Sequence, residues 1–469
     1  GNERCYSSAH PHLPWRCKRN PIASHQSTGS EGRHVNVCRC KMRKMQGMRR
    51  VRSVDEYERL EPIDPWTSVF YKPRTMVFLC IGFAILIYYS GALVEQDIPH
   101  TMEKLGELRY KNYKNGILGA CCAFLLYSTV QGPKAKMIRP HPAVWRFVHG
   151  LMVLYLVFLV FLAFQTVHDA RQFLKHLSPD LGVEPSERNY AEDCRIYMPE
   201  KDNKFHGILS TIFDPFVLAH SLGWFGRALI YRDYAMLWTM SILFELSEIT
   251  FKHMLPNFAE CWWDSWVLDV LLCNNLGIIA GMQAVKYFAT KKYNWRGMSA
   301  TPGVYDKAKR ALFQFTPASF EWYIWGLTSS PRRFISCTVL ILFDLAFALN
   351  SFFLKYELWI EPPSCYLNSA RLVLLFSMAV PSVRDYHEFL DRDDEAGLEK
   401  LGSFAWLSSG ILFAETLICY KFGRGLFPKP APPIVFWAWT SSGIALAVYW
   451  MVWYLRDRGI QVDQKAKST

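Results

Sequence analysis

Long apolar segments recur over most of this chain, and they constrain its fold more than any other feature of the sequence. A helix needs about 20 mostly apolar residues to cross the roughly 30 Å hydrocarbon core of a bilayer. Because no water is available there to bind the backbone, such segments fold as helices. The sequence therefore predicts an all-α, polytopic integral membrane helical bundle. We expect about ten transmembrane helices, near residues 75–93, 115–130, 147–166, 216–232, 235–254, 266–288, 334–354, 370–387, 403–420 and 434–455.

The composition excludes several other classes of protein. Hydrophobic residues make up 51% of the 469 residues and aromatic residues 15%, whereas charged residues make up 20%. Such a chain is neither disordered, nor collagen-like, nor a small disulfide scaffold. The sequence also has no Gly-rich phosphate cradle and no G-x-S-x-G elbow, so an ATP-driven or serine-hydrolase mechanism has no support.

Basic residues predict how the chain lies in the membrane. The formal net charge is +12, and most of the excess falls in a predicted disordered, cytosolic N-terminal tail over 1–62. The loops 131–146 and 289–333 are also basic, which agrees with cytosolic termini under the positive-inside rule. A transmembrane domain over 63–456 and a short cytosolic tail over 457–469 follow. Nucleic-acid binding is not predicted, because the basic run lacks interleaved aromatic residues and a recognisable binding fold.

Acidic residues are concentrated where a membrane protein rarely places them. Glu245 and Glu248 are three residues apart in a predicted span and share one helical face. The connection that follows contains Asn257, Glu260 and Asp264, and the next span carries further polar residues, Asp269 and Asn274. Each acid within the membrane costs on the order of 2.5–3.5 kcal/mol. Something must therefore compensate their charge.

A bound cation is the simplest compensation. Lys252 could pair with Glu248 at i, i+4, but this would leave Glu245 and Asp269 without a basic partner in the sequence. Oxygen-only ligands select a hard cation, and the mixture of carboxylates and amides favours Ca²⁺ over Mg²⁺. A cation transporter or channel that uses the same acids stays open as an alternative, although no inverted repeat is visible.

One histidine precedes the acidic pair on an apolar segment. Taken alone, a residue such as His220 is more often a packed core residue than a catalytic one. Beside a metal-bound phosphate, however, an imidazole can accept a proton from an attacking hydroxyl and return it to the leaving group. We therefore consider His220 a candidate general base.

Several motifs resemble those of one family, the eukaryotic base-exchange phosphatidylserine synthases. They are LPNFAECWWDSWVLDVLLCNNLGI from position 255, RPHPAVWR at 139–146, AHSLGW at 219–224, QFTPAS at 314–319 and LNSFFLK at 349–355. The resemblance runs from about 64 to 455. The signature of CDP-alcohol phosphatidyltransferases, DG-x2-AR-x8-G-x3-D-x3-D, is missing.

The resemblance implies a calcium-dependent enzyme of the endoplasmic reticulum membrane. It would replace the head group of phosphatidylethanolamine, or less readily phosphatidylcholine, with L-serine, giving phosphatidylserine and free ethanolamine. His220 corresponds to the catalytic histidine of AHSLGW, and FELSE corresponds to a metal-binding WELTE-like motif. We also expect substrate contacts from Asn274 and Arg227, and a homodimer. The implied metal ligands are Glu245, Glu248, Asn257, Glu260, Asp264 and Asp269.

Two further hypotheses concern the rest of the chain. Four polar residues on the predicted cytosolic side could bind an anionic lipid head group and allow feedback by phosphatidylserine, although the more usual role of such residues is a positive-inside signal or snorkelling toward phospholipid head groups. Cys194 and Cys365 fall in loops on the opposite side, where a disulfide between them is conceivable. The four proposed regulatory residues are Arg139, Arg310, Gln314 and Arg384.

Overall fold

The computed structural model describes residues 81, 84, 85, 88, 101–132, 142–175, 181–184, 193–200, 203–290, 301–313, 322–360, 366–391, 401–424, 426, 427 and 430–466. Regular structure in these ranges is helical, which confirms the predicted all-α class. The elements are α1 (Met102–Gln131), α2 (Pro142–Ala163), α3 (Val167–Leu174), α4 (His206–Ile212), α5 (Pro215–Tyr231), α6 (Tyr234–Phe251), a π-helix (Asp264–Asn274), α7 (Asn275–Thr290), α8 (Val304–Phe313), α9 (Pro331–Leu358), α10 (Tyr366–Asp391), α11 (Ser403–Gly423) and α12 (Pro433–Ala466).

Six of the described helical segments are long and apolar enough to cross a membrane. They are α2, the π-helix with α7, α9, α10, α11 and most of α12, and each coincides with a predicted span. Three other predicted spans fall on α1, α5 and α6, which do not meet these criteria. Of the span predicted at 75–93, only four helical positions are described. The predicted count of about ten is therefore not confirmed.

The predicted tails are only partly covered by the described residues. The N-terminal tail over 1–62 lies outside them, so its assignment stays a prediction. At the other end, α12 continues to Ala466. The segment predicted as a C-terminal tail from 457 is thus helical over most of its length.

The described helices bury two hydrophobic clusters. The first is formed mainly by α2, α3 and α11, and the second by α5, α6 and α7. Helix α10 contributes Met378 to the first and Val383 and Leu390 to the second. Helix α9 belongs to both, because Ile341 and Leu345 near its middle contribute to the second cluster and Leu354 and Leu358 near its end contribute to the first. As a result, α9 lies beside the polar residues of α6 and also reaches the first cluster.

Glycines allow α5 and α7 to pack closely. A Cβ atom at Gly277 would lie 2.4 Å from the backbone oxygen of Ser221, and one at Gly281 would lie 2.5 Å from the Cβ of Ala228. Such small residues four apart let two helix backbones approach each other. This close packing brings His220 on α5 next to the π-helix.

A buried ion pair joins the helices of the first cluster. The guanidinium of Arg371 on α10 donates to both carboxylate oxygens of Glu415 on α11, at 3.0 and 2.6 Å. It also donates to the hydroxyl of Tyr155 on α2 and to that of Ser351 on α9. Glu415 is fully buried, so its charge is compensated by a protein cation.

A disulfide links Cys194 to Cys261, with a Cα–Cα distance of 5.3 Å. This corrects the suggested pairing of Cys194 with Cys365, which lies outside the described residues. The bond ties the segment 193–200 to the loop between α6 and the π-helix. That loop also carries Asn257 and Glu260.

Candidate metal and catalytic site

Three carboxylates meet at the end of α6. Glu245 and Glu248 are almost one turn apart on that helix, and Glu260 approaches them from the loop that follows. One oxygen of each lies within 4.8 Å of the others. The side chains of Glu245 and Glu248 are buried, with 0% and 5% of their surface exposed. Three acids this close require a compensating cation or protonation.

The π-helix adds further polar groups on one face. In an α-helix, residues five apart are separated by about 140° around the axis, because each turn has 3.6 residues. A π-helix instead has hydrogen bonds from i to i+5, so residues five apart lie nearly above one another. Asp264, Asp269 and Asn274 have this spacing, and all three are buried. The local helix type therefore turns them to a common side.

Hydrogen bonds fix the orientation of part of this site. The amide Nδ2 of Asn274 donates to Ser241 Oγ at 2.9 Å and to Glu245 Oε1 at 3.2 Å. Three buried oxygens have no hydrogen-bond partner among the described residues: Oε2 of Glu245, Oε2 of Glu248 and Oδ1 of Asn274. Buried oxygens in this state are suited to coordinating a cation.

Glu260 occupies the loop end of the same site. The hydroxyl of Ser265 donates to its Oε2 at 3.3 Å. Burial, together with the negative charges of Asp264 and Glu245, raises the pKa of Glu260 to about 8. Its carboxylate form is thus disfavoured unless a positive charge is present. Lys252 does not neutralise Glu248. Its side chain is exposed, and within the described residues it forms no ion pair with Glu248.

His220 lies between two of the acids. Its Nε2 is 3.9 Å from Glu245 Oε1, and its Nδ1 is 3.9 Å from Asp269 Oδ1. The ring also contacts Phe244 edge-on, with the centroids 6.1 Å apart. About a fifth of the side chain (22%) is exposed. The structure therefore brings the predicted histidine and the predicted acids into one site, with the imidazole accessible from outside.

Arg227 lies two helical turns beyond His220 on α5. Its Nε donates to Asp344 Oδ2 at 2.8 Å, and the hydroxyl of Tyr231 donates to the other oxygen of that carboxylate at 2.9 Å. The guanidinium also lies over the Trp224 ring, 4.8 Å from its centroid. Asp344 was missed by the sequence analysis, although an acid within the apolar α9 could have drawn attention to it.

The proposed regulatory residues are separated from this site in the sequence, and only two of them are described. Arg384 on α10 donates to Glu388 at 3.1 Å. Arg310 is half-buried on α8. Arg139 and Gln314 lie outside the described residues. A lipid-binding role for the four stays a prediction.

The fold and the site define a polytopic helical membrane protein with a buried site of carboxylates, an amide and a histidine. A family model described as phosphatidyl serine synthase matches residues 140–423. The chain is 48% identical over 398 residues to CDP-diacylglycerol–serine O-phosphatidyltransferase 2 of Oryza sativa subsp. japonica, covering 85% of this chain and 92% of that protein. It is 41% identical over 398 residues to human phosphatidylserine synthase 2, covering 84% and 78%.

The chain therefore belongs to the phosphatidylserine synthase family, as its motifs indicated. It is an enzyme of the phosphatidyltransferase class. The candidate site from His220 to Asn274 falls inside the matched region. The names of the relatives differ in one respect, since those from rice and Arabidopsis thaliana specify CDP-diacylglycerol and those from animals do not.

Proposed function

We propose that this protein is a calcium-dependent, base-exchange phosphatidylserine synthase. It transfers the phosphatidyl group of phosphatidylethanolamine, or less readily of phosphatidylcholine, to L-serine, and it releases the free amino alcohol. The observation that carries this proposal is the placement of His220 within 4 Å of Glu245 and Asp269, beside three converging carboxylates. A proton-transfer group and an anion-rich metal site are thus adjacent.

Calcium is the cation that the ligand set favours. The candidate ligands are all oxygens, from five carboxylates and the amide of Asn257, which suits a hard cation with irregular coordination. The unpaired oxygens of Glu245 and Glu248 support the same assignment. When bound, calcium would neutralise the charge of the substrate phosphodiester.

The residues of the chain would carry the proton transfers. His220 accepts the proton of the serine hydroxyl as its oxygen attacks phosphorus. The protonated imidazole is then stabilised by Glu245 and Asp269, and it returns the proton to the departing ethanolamine oxygen. Asn274 holds Glu245 in place through its amide. Arg227, which is on the same helix as His220, would contact the lipid phosphate. One phosphodiester replaces another, so no nucleotide is needed.

A phospholipid is the proposed phosphatidyl donor, in preference to CDP-diacylglycerol. The DG-x2-AR signature of CDP-alcohol phosphatidyltransferases is absent from this sequence. In its place the chain has the pair Asp264 and Asp269, which are brought together by a π-helix. The names of the plant relatives specify the other donor, so the choice requires a direct test.

We propose that the enzyme lies in the endoplasmic reticulum membrane with both termini cytosolic, as a homodimer. In this topology the loop with Asn257 and Glu260 is lumenal. The Cys194–Cys261 bond supports that side, because disulfides persist in oxidising compartments. We also propose that phosphatidylserine inhibits the enzyme by binding at a second site, formed by Arg139, Arg310, Gln314 and Arg384.

The experiment uses the purified protein in vesicles of phosphatidylethanolamine and phosphatidylcholine. Incorporation of labelled serine is measured with calcium, with excess chelator and in the variant His220→Ala. We expect incorporation that requires calcium and is lost in the variant. If well-folded protein incorporates no serine and instead conducts cations, the acids serve transport and the proposal is wrong.

A further inference from the structure

A charged pair lies beside the candidate site, at membrane depth. Asp344 is in the middle of α9, and its carboxylate accepts hydrogen bonds from Arg227 Nε at 2.8 Å and from the Tyr231 hydroxyl at 2.9 Å. Charged residues within a membrane are costly, and those that a fold retains there usually serve its function. The proposed reaction gives Arg227 a role but leaves Asp344 without one.

The pair of Arg371 and Glu415 shows how a membrane arginine looks when its donor groups are used inside the protein. Each guanidinium nitrogen of Arg371 donates a hydrogen bond to a neighbouring helix, and 10% of the side chain is exposed. Arg227 uses its Nε for Asp344, and 23% of its side chain is exposed. Within the residues that the structure describes, its two terminal nitrogens make no hydrogen bond. They are thus left for a ligand.

The guanidinium of Arg227 lies over an open notch in α5. His220, Gly223 and Arg227 share one face of this helix, because the intervals between them are three and four residues. Among the described residues, a Cβ atom at Gly223 would have one neighbour within 4 Å, the Nη1 of Arg227 at 3.7 Å. The guanidinium therefore points back along the helix toward His220, and the glycine leaves the space between them open.

An aromatic ring borders both ends of the notch over Gly223. The ring centroid of Phe244 is 6.1 Å from that of His220 and 6.0 Å from the guanidinium carbon of Arg227. An anion in the notch would thus lie between a guanidinium and the proposed general base. Terminal nitrogens of arginine bind phosphate oxygens through strong, charge-assisted hydrogen bonds. The notch therefore has the chemistry of a phosphate subsite.

We propose that Asp344 is a positioning residue, which together with Tyr231 holds Arg227 so that its terminal nitrogens bind the phosphodiester of the phospholipid donor in the notch over Gly223. The inference rests on the proposed base-exchange function and assigns the binding of its lipid substrate. L-Serine has no phosphate, so its own binding does not depend on this arrangement.

The test measures the two substrates separately. Labelled serine is incorporated in mixed micelles, in which either the mole fraction of phosphatidylethanolamine or the serine concentration is varied. We expect Asp344→Asn to raise the KM for the lipid about tenfold, while the KM for serine stays within about twofold. In the background of Arg227→Gln the same change should add less than about twofold, because Asp344 acts through Arg227. A lower thermal stability with an unchanged KM for the lipid would overturn the proposal.

A second variant tests the notch if Asp344→Asn does not fold. Gly223→Leu places a good helix former in open space, so it should fold normally, fill the notch and raise the KM for the lipid about tenfold. Gly443→Leu is the matched control, because it is also a helical glycine in open space, and it should change neither KM. An unchanged KM for the lipid in folded Gly223→Leu would show that the phosphate binds elsewhere.

A binding measurement separates this inference from the proposed function. A fluorescent phosphatidylethanolamine is bound to purified protein without serine and is displaced by unlabelled phosphatidylethanolamine or by diacylglycerol, which lacks the phosphate. The wild-type protein should prefer the phospholipid, and Asp344→Asn should lose most of this preference. An equal preference in both proteins refutes the role of Asp344 whether or not the chain catalyses exchange. A preference lost in Asp344→Asn supports the subsite even if the wild-type protein exchanges no serine.

Discussion

The substitution Glu245→Gln distinguishes a cation site from a set of internally paired acids. One oxygen each of Glu245, Glu248 and Glu260 lies within 4.8 Å of the others. At an effective dielectric constant of about 20, two ionised carboxylates at that distance repel each other by about 3 kcal/mol. Glutamine has the same shape and can still accept the hydrogen bond from Asn274. It removes the charge, and with it two of the three repulsions.

We therefore expect opposite effects with and without the metal. In excess chelator, at a pH above the value of about 8 to which the pKa of Glu260 is raised, Glu245→Gln should unfold at a higher temperature than the wild-type protein, because the repulsion is smaller. Calcium at 100 times its dissociation constant stabilises a protein by about 2.7 kcal/mol, and the variant should lose most of this gain. The assay is thermal unfolding in detergent, followed by tryptophan fluorescence at one fixed scan rate.

Glu415→Gln is the matched control, because Glu415 is also fully buried but is paired with Arg371. Breaking that pair should lower stability by about 3–5 kcal/mol, equally with calcium and with chelator. The reasoning fails if Glu245→Gln behaves like Glu415→Gln. A loss of stability in chelator, combined with an unchanged calcium gain, would mean that a protein group neutralises Glu245.

Two other predictions follow from the geometry, and a third tests the proposed feedback site. Reduction of the Cys194–Cys261 disulfide should lower stability by about 2–4 kcal/mol and weaken calcium binding through the adjacent loop; unfolding and calcium titrations that do not respond to reductant would contradict this. Gly277→Ala should lower stability by about 1–3 kcal/mol and reduce serine incorporation, because the added Cβ would clash with the backbone of α5. Gly443→Ala is the control, because its Cβ would lie in open space, and it should change neither stability nor serine incorporation. Arg384→Ala should reduce inhibition of serine incorporation by added phosphatidylserine, and an unchanged inhibition curve would remove Arg384 from the feedback site.

The sequence predicted the class of fold and singled out the residues of the candidate site, because both depend on local patterns. Apolar stretches of sufficient length indicated helices, and the spacing of Glu245 and Glu248 placed them on one helical face. The grouping of Asp264 with Asp269 depends on the π-helix, and an ordinary helix would have separated them. Helix type at one point in a chain leaves no clear periodic signal, so this arrangement required the structure.

Long-range partners were the other part that the sequence could not supply. The disulfide partner of Cys194 is Cys261, and cysteine connectivity is set by the three-dimensional path of the chain. The partner of Arg227 is Asp344, which is 117 positions away. In each case the pairing depends on how helices pack, because side-chain spacing carries information only within one helix or one turn.

The most direct test of the whole account is the stoichiometry of exchange. Phosphatidylethanolamine with a labelled head group is incubated with serine, calcium and the purified protein, with CDP-diacylglycerol absent. The account predicts one ethanolamine released for each serine incorporated, with both processes abolished by chelator and by His220→Ala. Serine incorporation that occurs only after CDP-diacylglycerol is added, with release of CMP and no ethanolamine, would contradict it.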